Sequence, residues 1–201
     1  MLSKSRRRTA AKQAQILEIA KEVLRRRGGR AKMSDIAARL GIDTSSLYYY
    51  YKGIPDILNA LLEGLEYDLT PLQGCADDKD RACLSALHEM LSHILRFYHR
   101  NLELIRIVLT QVSPLFESQP LEDEYHALNT YLSAYWTANE LLRDHLHKAQ
   151  DEGTINRELP PEQMLHILRG AIWGFVASWE RYPLTEEDIP NLVNRILRTI
   201  K

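Results

Sequence analysis

Apolar residues in the first part of the chain recur every three or four positions, and glycine or proline interrupts each run. Ile16, Ile19, Ala20, Val23 and Leu24 form one such stripe and predict a helix over about 8–28, because this spacing puts them on one face. Gly28 and Gly29 end it, since glycine takes the left-handed cap at little cost. Met33, Ile36, Ala37 and Leu40 predict a short helix over 33–40, with Lys32 or Ser34 near its start and Gly41 at its end. Asp43 or Thr44 caps a third helix that is expected to run to about Tyr51, where Gly53 breaks it. Pro55 fits the first turn of a fourth helix over 55–69, with Ile57, Leu58, Leu61, Leu62 and Leu65 inward. The stretch 70–78, with Pro71 and Gly74, reads as a loop. Further helices are expected over 79–99, 101–112, 121–152, 160–182 and 185–200, separated by SPLFESQP, GTINRELPP and YPLT. No segment alternates with period two, so the expected fold class is all-α. It comprises an N-terminal three-helix domain over 1–54 and a larger helical domain over 55–201, with helix 55–69 connecting them.

Charge divides the chain at nearly the same place. The 201 residues carry a net charge of −1, with 26 Lys and Arg against 27 Asp and Glu. Residues 1–52 hold 13 of those cations and four acids, a net +9, which leaves −10 for the remainder. Such a split is the signature of a polyanion-binding module joined to an acidic body. Apolar content of 45% and charged content of 26% fit an ordinary globular protein. Cys75 and Cys83 stand eight apart with no metal-ligand or disulfide spacing, as for incidental thiols in a reducing compartment. The basic start MLSKSRRRTAAKQ lacks an apolar region after it, and the longest apolar run, Gly170 to Trp179, is about half a membrane span. A cytoplasmic protein without membrane contact is expected.

The two short helices around Gly41 form a helix-turn-helix. Ala37 is small enough for close approach of the third helix, Gly41 turns the chain through positive φ, and Ile42 and Leu47 fill the angle between the helices. One face of the third helix is then free to enter a major groove. The stretches ILEIAKEVLRRRGG and MSDIAARLGIDTSSLYYYYKGIPDILNALLE resemble the N-terminal domain of the TetR (tetracycline repressor) family. The resemblance covers about residues 14–62 and rests on Asp35-Ile36-Ala37, Leu40-Gly41-Ile42, Leu47-Tyr48, Tyr51 and Ile57-Leu58. The later segment AQDEGTINRELPPEQMLHILRGAIWG is similar to the turn and penultimate helix of many members. The loop GGRAKM is about one residue shorter than the common pattern. Ser45 replaces a frequent Gly or Ala. Ile54 stands where the family has a phosphate-contacting Lys, with Lys52 as the nearby cation.

The resemblance implies a transcriptional regulator that binds a palindromic double-stranded DNA operator as a homodimer. It places Ser34, Thr44, Ser45 and Tyr49 where the family reads bases, and Ser46, Tyr48, Tyr50 and Lys52 where it holds phosphates. Lys32, beside Ser34, joins the same DNA-facing set. The residue chemistry agrees, since Ser, Thr and Tyr hydroxyls donate to phosphates and base edges, and a Thr methyl or Tyr ring can touch the thymine methyl. No Arg or Asn lies in the recognition helix for bidentate reading of guanine or adenine. Discrimination is therefore expected from thymine contacts, DNA shape or the arginines of the N-terminal arm. Arg6, Arg7 and Arg8 read either as such an arm or as a solubilising tail.

Helix 160–182 is apolar almost all round and must be covered on more than one side. Leu168, Ile172, Phe175, Val176 and Trp179 are the candidate dimer residues, and Gly170 and Gly174 would permit close helix approach. A small-molecule effector site is expected among the later helices, with Met90, His93, Tyr98, Tyr131, Trp136 and Trp173 as candidates. His145 and His147, two apart, face different sides of a helix, so no metal and no cofactor is expected. No Gly-rich phosphate loop, nucleophile elbow, HExxH or paired-carboxylate signature occurs, which argues against an enzyme. The expected function is a repressor that a small-molecule ligand releases from its operator; the alternatives are a helical ligand-binding protein and a DNA-binding regulator without a small-molecule inducer.

Overall fold

The computed structural model describes residues 4–63, 65, 67–77, 82–112, 123–179 and 181–200, and among these there is no strand. Ten helices are described: α1 (Lys4–Arg27), α2 (Met33–Leu40), α3 (Thr44–Tyr48), α4 (Ile54–Leu62), α5 (Thr70–Asp77), α6 (Cys83–Arg100), α7 (Leu102–Val112), α8 (His126–Asp151), α9 (Pro161–Ser178) and α10 (Ile189–Leu197). They fall into two compact units, one of residues 1–66 with 103–131 and the other of 67–102 with 132–201.

In the first unit, Ile16, Ala20 and Leu24 of α1, Ile36 and Ala37 of α2, Leu47 of α3 and Ile57, Leu58 and Leu61 of α4 share one buried core, joined by Ile107 of α7. α4 thus belongs to the same core as α1–α3, so the contacts do not break at 54/55. Gly28 has φ +55° and starts a short 3₁₀ turn, Gly28–Arg30. The turn between α2 and α3 has a clear cause. Gly41 sits at φ +67°, its N–H reaches the Ala38 carbonyl at 3.3 Å, and the Ile42 N–H reaches that of Ala37 at 3.1 Å. Those bonds satisfy carbonyls that the end of α2 would otherwise leave open. At the start of α2, the Asp35 carboxylate accepts the Lys32 backbone N–H at 2.9 Å.

α3 is shorter than expected, ending at Tyr48 rather than near Tyr51. The chain leaves the helix there because Tyr51 turns into the core and the Lys52 N–H is taken by the Asp56 carboxylate at 2.9 Å. α4 likewise ends at Leu62, not near 69. Within this unit Asn59 ties α4 to the start of α8, its amide donating to the Glu124 carbonyl at 2.6 Å and accepting the Ala127 N–H at 3.1 Å. Arg6, Arg7 and Arg8 are exposed in the first turns of α1, so the basic start continues that helix and does not form a separate arm.

In the second unit, Leu87, Met90, Leu91 and Leu95 of α6 are buried in a layer with α5, α9 and α10. α5 replaces the expected loop. Pro71 lacks only an N–H that a helix start leaves unused, the Asp68 carboxylate accepts the Thr70 N–H at 2.9 Å, and Leu72 and Cys75 are buried. The turn after α8 is held by Gln150, whose amide donates to the carbonyls of Asn156 at 2.8 Å and Leu159 at 2.7 Å. Arg157 Nε returns to the Gln150 carbonyl at 2.7 Å. α9 stops at Ser178, and α10 begins only after the Asp188 carboxylate has accepted the Thr185 N–H and hydroxyl, each at 2.8 Å. No described helix is long and apolar enough to cross a membrane.

Candidate functional site

The helix-turn-helix exposes one row of hydroxyl-bearing side chains. Leu47 and Tyr51 point inward and anchor α3, and burial pushes the Tyr51 phenol upward in pKa. The face between them is left to solvent. Tyr49 is 81% exposed and Tyr48 52%, while Ser45, Ser46, Lys52, Lys32 and Ser34 are exposed and Thr44 and Tyr50 half-buried. Tyr49 and Tyr50 meet edge to face with centroids 5.1 Å apart, which leaves the outer face of Tyr49 free. Four consecutive tyrosines therefore divide their work, Tyr51 in the core, Tyr50 packed against its edge, and Tyr48 and Tyr49 toward the surface.

Ion pairing sorts the cations of this unit. Arg39 makes two hydrogen bonds to Glu22, at 2.7 and 3.3 Å, and Arg26 reaches the same carboxylate at 3.1 Å. Arg27 pairs with Asp35 at 3.3 Å, and Lys21 with Glu18 at 2.8 Å. The Glu18 carboxylate holds the Lys21 ammonium above its ordinary pKa. Among the described residues no carboxylate pairs with Lys32, Arg30 or Lys52. Three of the four acids in the basic segment are thus engaged by cations away from the α3 face. The unpaired positive charge brackets that face, where it can neutralise phosphates.

Among the pockets of the second unit is a small cavity of about 20 Å³ that is partly open to solvent. Tyr67, Tyr98, Tyr135, Asn139, Arg169 and Trp173 line it with aromatic and polar groups, and Ile94, Leu142, Leu165, Leu168 and Ile172 supply apolar wall. Tyr98 stacks on Trp173 at 5.3 Å, and the Arg169 guanidinium lies over the rings of Tyr135 at 5.5 Å and Trp136 at 5.3 Å. The Tyr67 hydroxyl is buried without a hydrogen-bond partner among the described residues, and burial raises its pKa well above the ordinary phenol. Of the candidate ligand residues, Tyr98 and Trp173 line this cavity. Met90 is buried elsewhere in the unit, His93 bonds the Asp68 carbonyl at 3.0 Å, Tyr131 lies in the first unit, and Trp136 is 40% exposed. Tyr67, Asn139 and Arg169 escaped the sequence reading. A lone Arg in a helix that is apolar almost all round and a lone Asn on a buried face were the signals available.

The candidate dimer residues lie mostly inside the chain's own core. Leu168, Ile172, Val176 and Trp179 are buried, with Trp179 Nε1 donating to the Leu184 carbonyl at 3.2 Å, and Phe175 is half-buried. The apolar surface that α9 offers outward runs along Ile167, 42% exposed, with Ala171 and Phe175 beside it. A Cβ added to Gly170 or Gly174 would meet nothing within 4 Å, so both glycines lie on an uncovered side of the helix. His145 is buried against the Leu141 carbonyl at 3.0 Å, whereas His147 faces Glu162 at 3.4 Å. No three described His, Cys, Asp or Glu residues gather as metal ligands.

Comparison with known proteins agrees with this geometry. Residues 16–61 match the model of bacterial regulatory proteins of the tetR family. The nucleoid occlusion factor SlmA of Pectobacterium carotovorum is 25% identical over 158 residues, covering 79% of this chain and 78% of its own. In fold, the chain is similar to the ketosteroid transcriptional regulator KstR2 of Mycobacterium tuberculosis, with a TM-score of 0.70 at 19% identity over 94% of this chain and 95% of that one. It is also similar to the TetR-family regulator PfmR of Thermus thermophilus, with a TM-score of 0.59 at 20% identity over 93% and 96%. Residues 16–61 thus match the tetR family of bacterial regulatory proteins, and the chain as a whole shares the fold of the two regulators just named.

Proposed function

We propose that the protein is a homodimeric repressor that binds a palindromic operator and is released from it by a small molecule held in the second unit. The observation that carries the DNA reading is the exposed row of Ser34, Ser45, Ser46, Tyr48 and Tyr49 bracketed by Lys32 and Lys52. Thr44, Ser45, Ser34 and Tyr49 read base edges in this proposal, while Ser46, Tyr48, Tyr50, Lys32 and Lys52 hold phosphates. A dimer through the outer face of α9 would present two recognition helices roughly 34–36 Å apart, one duplex turn. Ligand binding then favours a dimer whose helices no longer fit successive grooves.

Selection of a duplex from a random library, followed by binding at increasing salt, tests this reading. A palindromic site is expected, with affinity falling steeply as bound phosphates release counterions. Light scattering at micromolar concentration is expected to give the dimer mass. No affinity for duplex DNA at low salt would sink the proposal. A second reading, a DNA-bound factor without inducer, is favoured by the likeness to the nucleoid occlusion factors, which extends well beyond the DNA-binding domain. It predicts occupancy at many dispersed chromosomal sites that no metabolite alters.

A further inference from the structure

Arg169 is the one charged residue lining the second unit's cavity, and no carboxylate lines it among the described residues. The guanidinium is half-buried, rests on two aromatic faces and has no described acid partner. Across the same lining stands the Tyr67 hydroxyl, 8% exposed as a residue and unpartnered at its oxygen. A buried hydroxyl without a partner is a cost that folded proteins rarely carry idly. Two donors without described acceptors therefore line one space walled by the Tyr98 and Trp173 rings and by leucine and isoleucine side chains.

We propose that this cavity takes a compact monocarboxylate with a ring-sized apolar body, its carboxylate held by the Arg169 guanidinium and the Tyr67 hydroxyl. The inference rests on the reading of the second unit as a sensor and names the chemistry of its effector. A single cation with one neutral donor suits one negative charge, whereas a phosphate dianion would call for several cations. The aromatic and aliphatic walls suit an apolar body. Tyr67 stays protonated at any working pH, because burial holds its pKa well above the usual phenol range, so it remains a donor. The cavity of about 20 Å³ holds roughly one water, far below the roughly 300 Å³ of a small-ligand site. The acid must therefore widen the space between α6, α8 and α9 on entry, and half-buried Arg169 and Trp173 are parts of the wall that reach solvent. That expansion is the differential interaction a release mechanism needs.

The test uses the full chain and two matched series, the acids phenylacetate, benzoate and 3-phenylpropanoate and their neutral amides. Thermal melting and operator release are read for wild type, Arg169→Gln and Tyr67→Phe. Phenylacetate is expected to raise the melting temperature and free the operator, and phenylacetamide is not. Arg169→Gln is expected to weaken the acid by about tenfold to a hundredfold, and Tyr67→Phe by less, from the loss of charge-assisted hydrogen bonds. Arg169→Gln removes no described ion pair but does remove its contacts over the Tyr135 and Trp136 rings, so each ligand shift is read against that variant's own unliganded melting temperature. Equal binding of acid and amide, or undiminished acid binding by Arg169→Gln, overturns the proposal. Release of operator by amides alone also overturns it while leaving the sensor reading intact. Silence from both series overturns it and removes the sensor reading's support as well.

Discussion

Truncating Tyr49 should separate DNA recognition from folding. The side chain is 81% exposed, and its one described aromatic neighbour is Tyr50, edge to face at 5.1 Å. Removing an exposed residue with one such contact costs about 1 kcal/mol of stability at most. For a chain of this size, that lowers Tm by about 2–4 °C. On DNA the loss is larger. One base contact is worth about 1–3 kcal/mol, and a dimer on two half-sites loses it twice, about 2–6 kcal/mol or at least thirtyfold in operator affinity. Affinity for a scrambled duplex should hold, because phosphate contacts carry it. Fluorescence anisotropy with operator and scrambled duplexes gives the ratio, and calorimetric melting gives Tm. Tyr51→Ala is the contrast: two positions on, this ring is buried, and its loss should cost about 3–5 kcal/mol and unfold the first unit before DNA binding can be measured. Undiminished operator preference in Tyr49→Ala, or a Tm loss as large as that of Tyr51→Ala, would refute the assignment of this face.

Lys32→Ala and Lys52→Ala should weaken operator and random duplex about equally, each flattening the salt dependence by about 1.8 in log–log slope because the dimer loses the contact twice; a loss confined to the operator would contradict a phosphate role. Gly41→Ala meets no atom within 4 Å, so its expected cost is the left-handed backbone alone, about 1–2 kcal/mol in urea unfolding, and a larger loss would mean that the turn is crowded. Burial and the Glu152 carboxylate push the Cys83 thiol up to about 11, so its alkylation at pH 8 should run roughly a hundredfold slower than for an unhindered thiol. The Asp188 carboxylate is held below its ordinary pKa by the Thr185 N–H and hydroxyl. A depressed carboxylate contributes stability above its unfolded pKa and loses it as pH falls through the folded value. Asp188→Asn should therefore flatten the acid limb of a Tm–pH profile, and an unchanged limb would show that the cap contributes nothing.

What the sequence determined by itself is the helix-turn-helix. Its signals are local: the apolar stripe of α1, the Gly41 turn, and the pairing of Leu47 with an inward aromatic. Each acts over one or two helical turns, so the linear order of residues holds nearly all the information. Local signals also account for the exposed hydroxyl row, since Leu47 and Tyr51 cannot go inward on a short helix without turning Tyr48 and Tyr49 out. Ambiguous punctuation was decided by partners instead. Pro71 and Gly74 read as a loop, yet α5 forms because Asp68 caps it and Leu72 and Cys75 find a core. Helix α9 illustrates the limit most plainly. Its residues are apolar all round, so periodicity could not say which of them face the chain's own core. Only packing showed that Leu168, Val176 and Trp179 are buried while Ile167, Ala171 and Phe175 border solvent. The cavity joins Tyr67, Asn139 and Arg169 across more than a hundred residues, and such a juxtaposition exists only once long-range packing has closed around it.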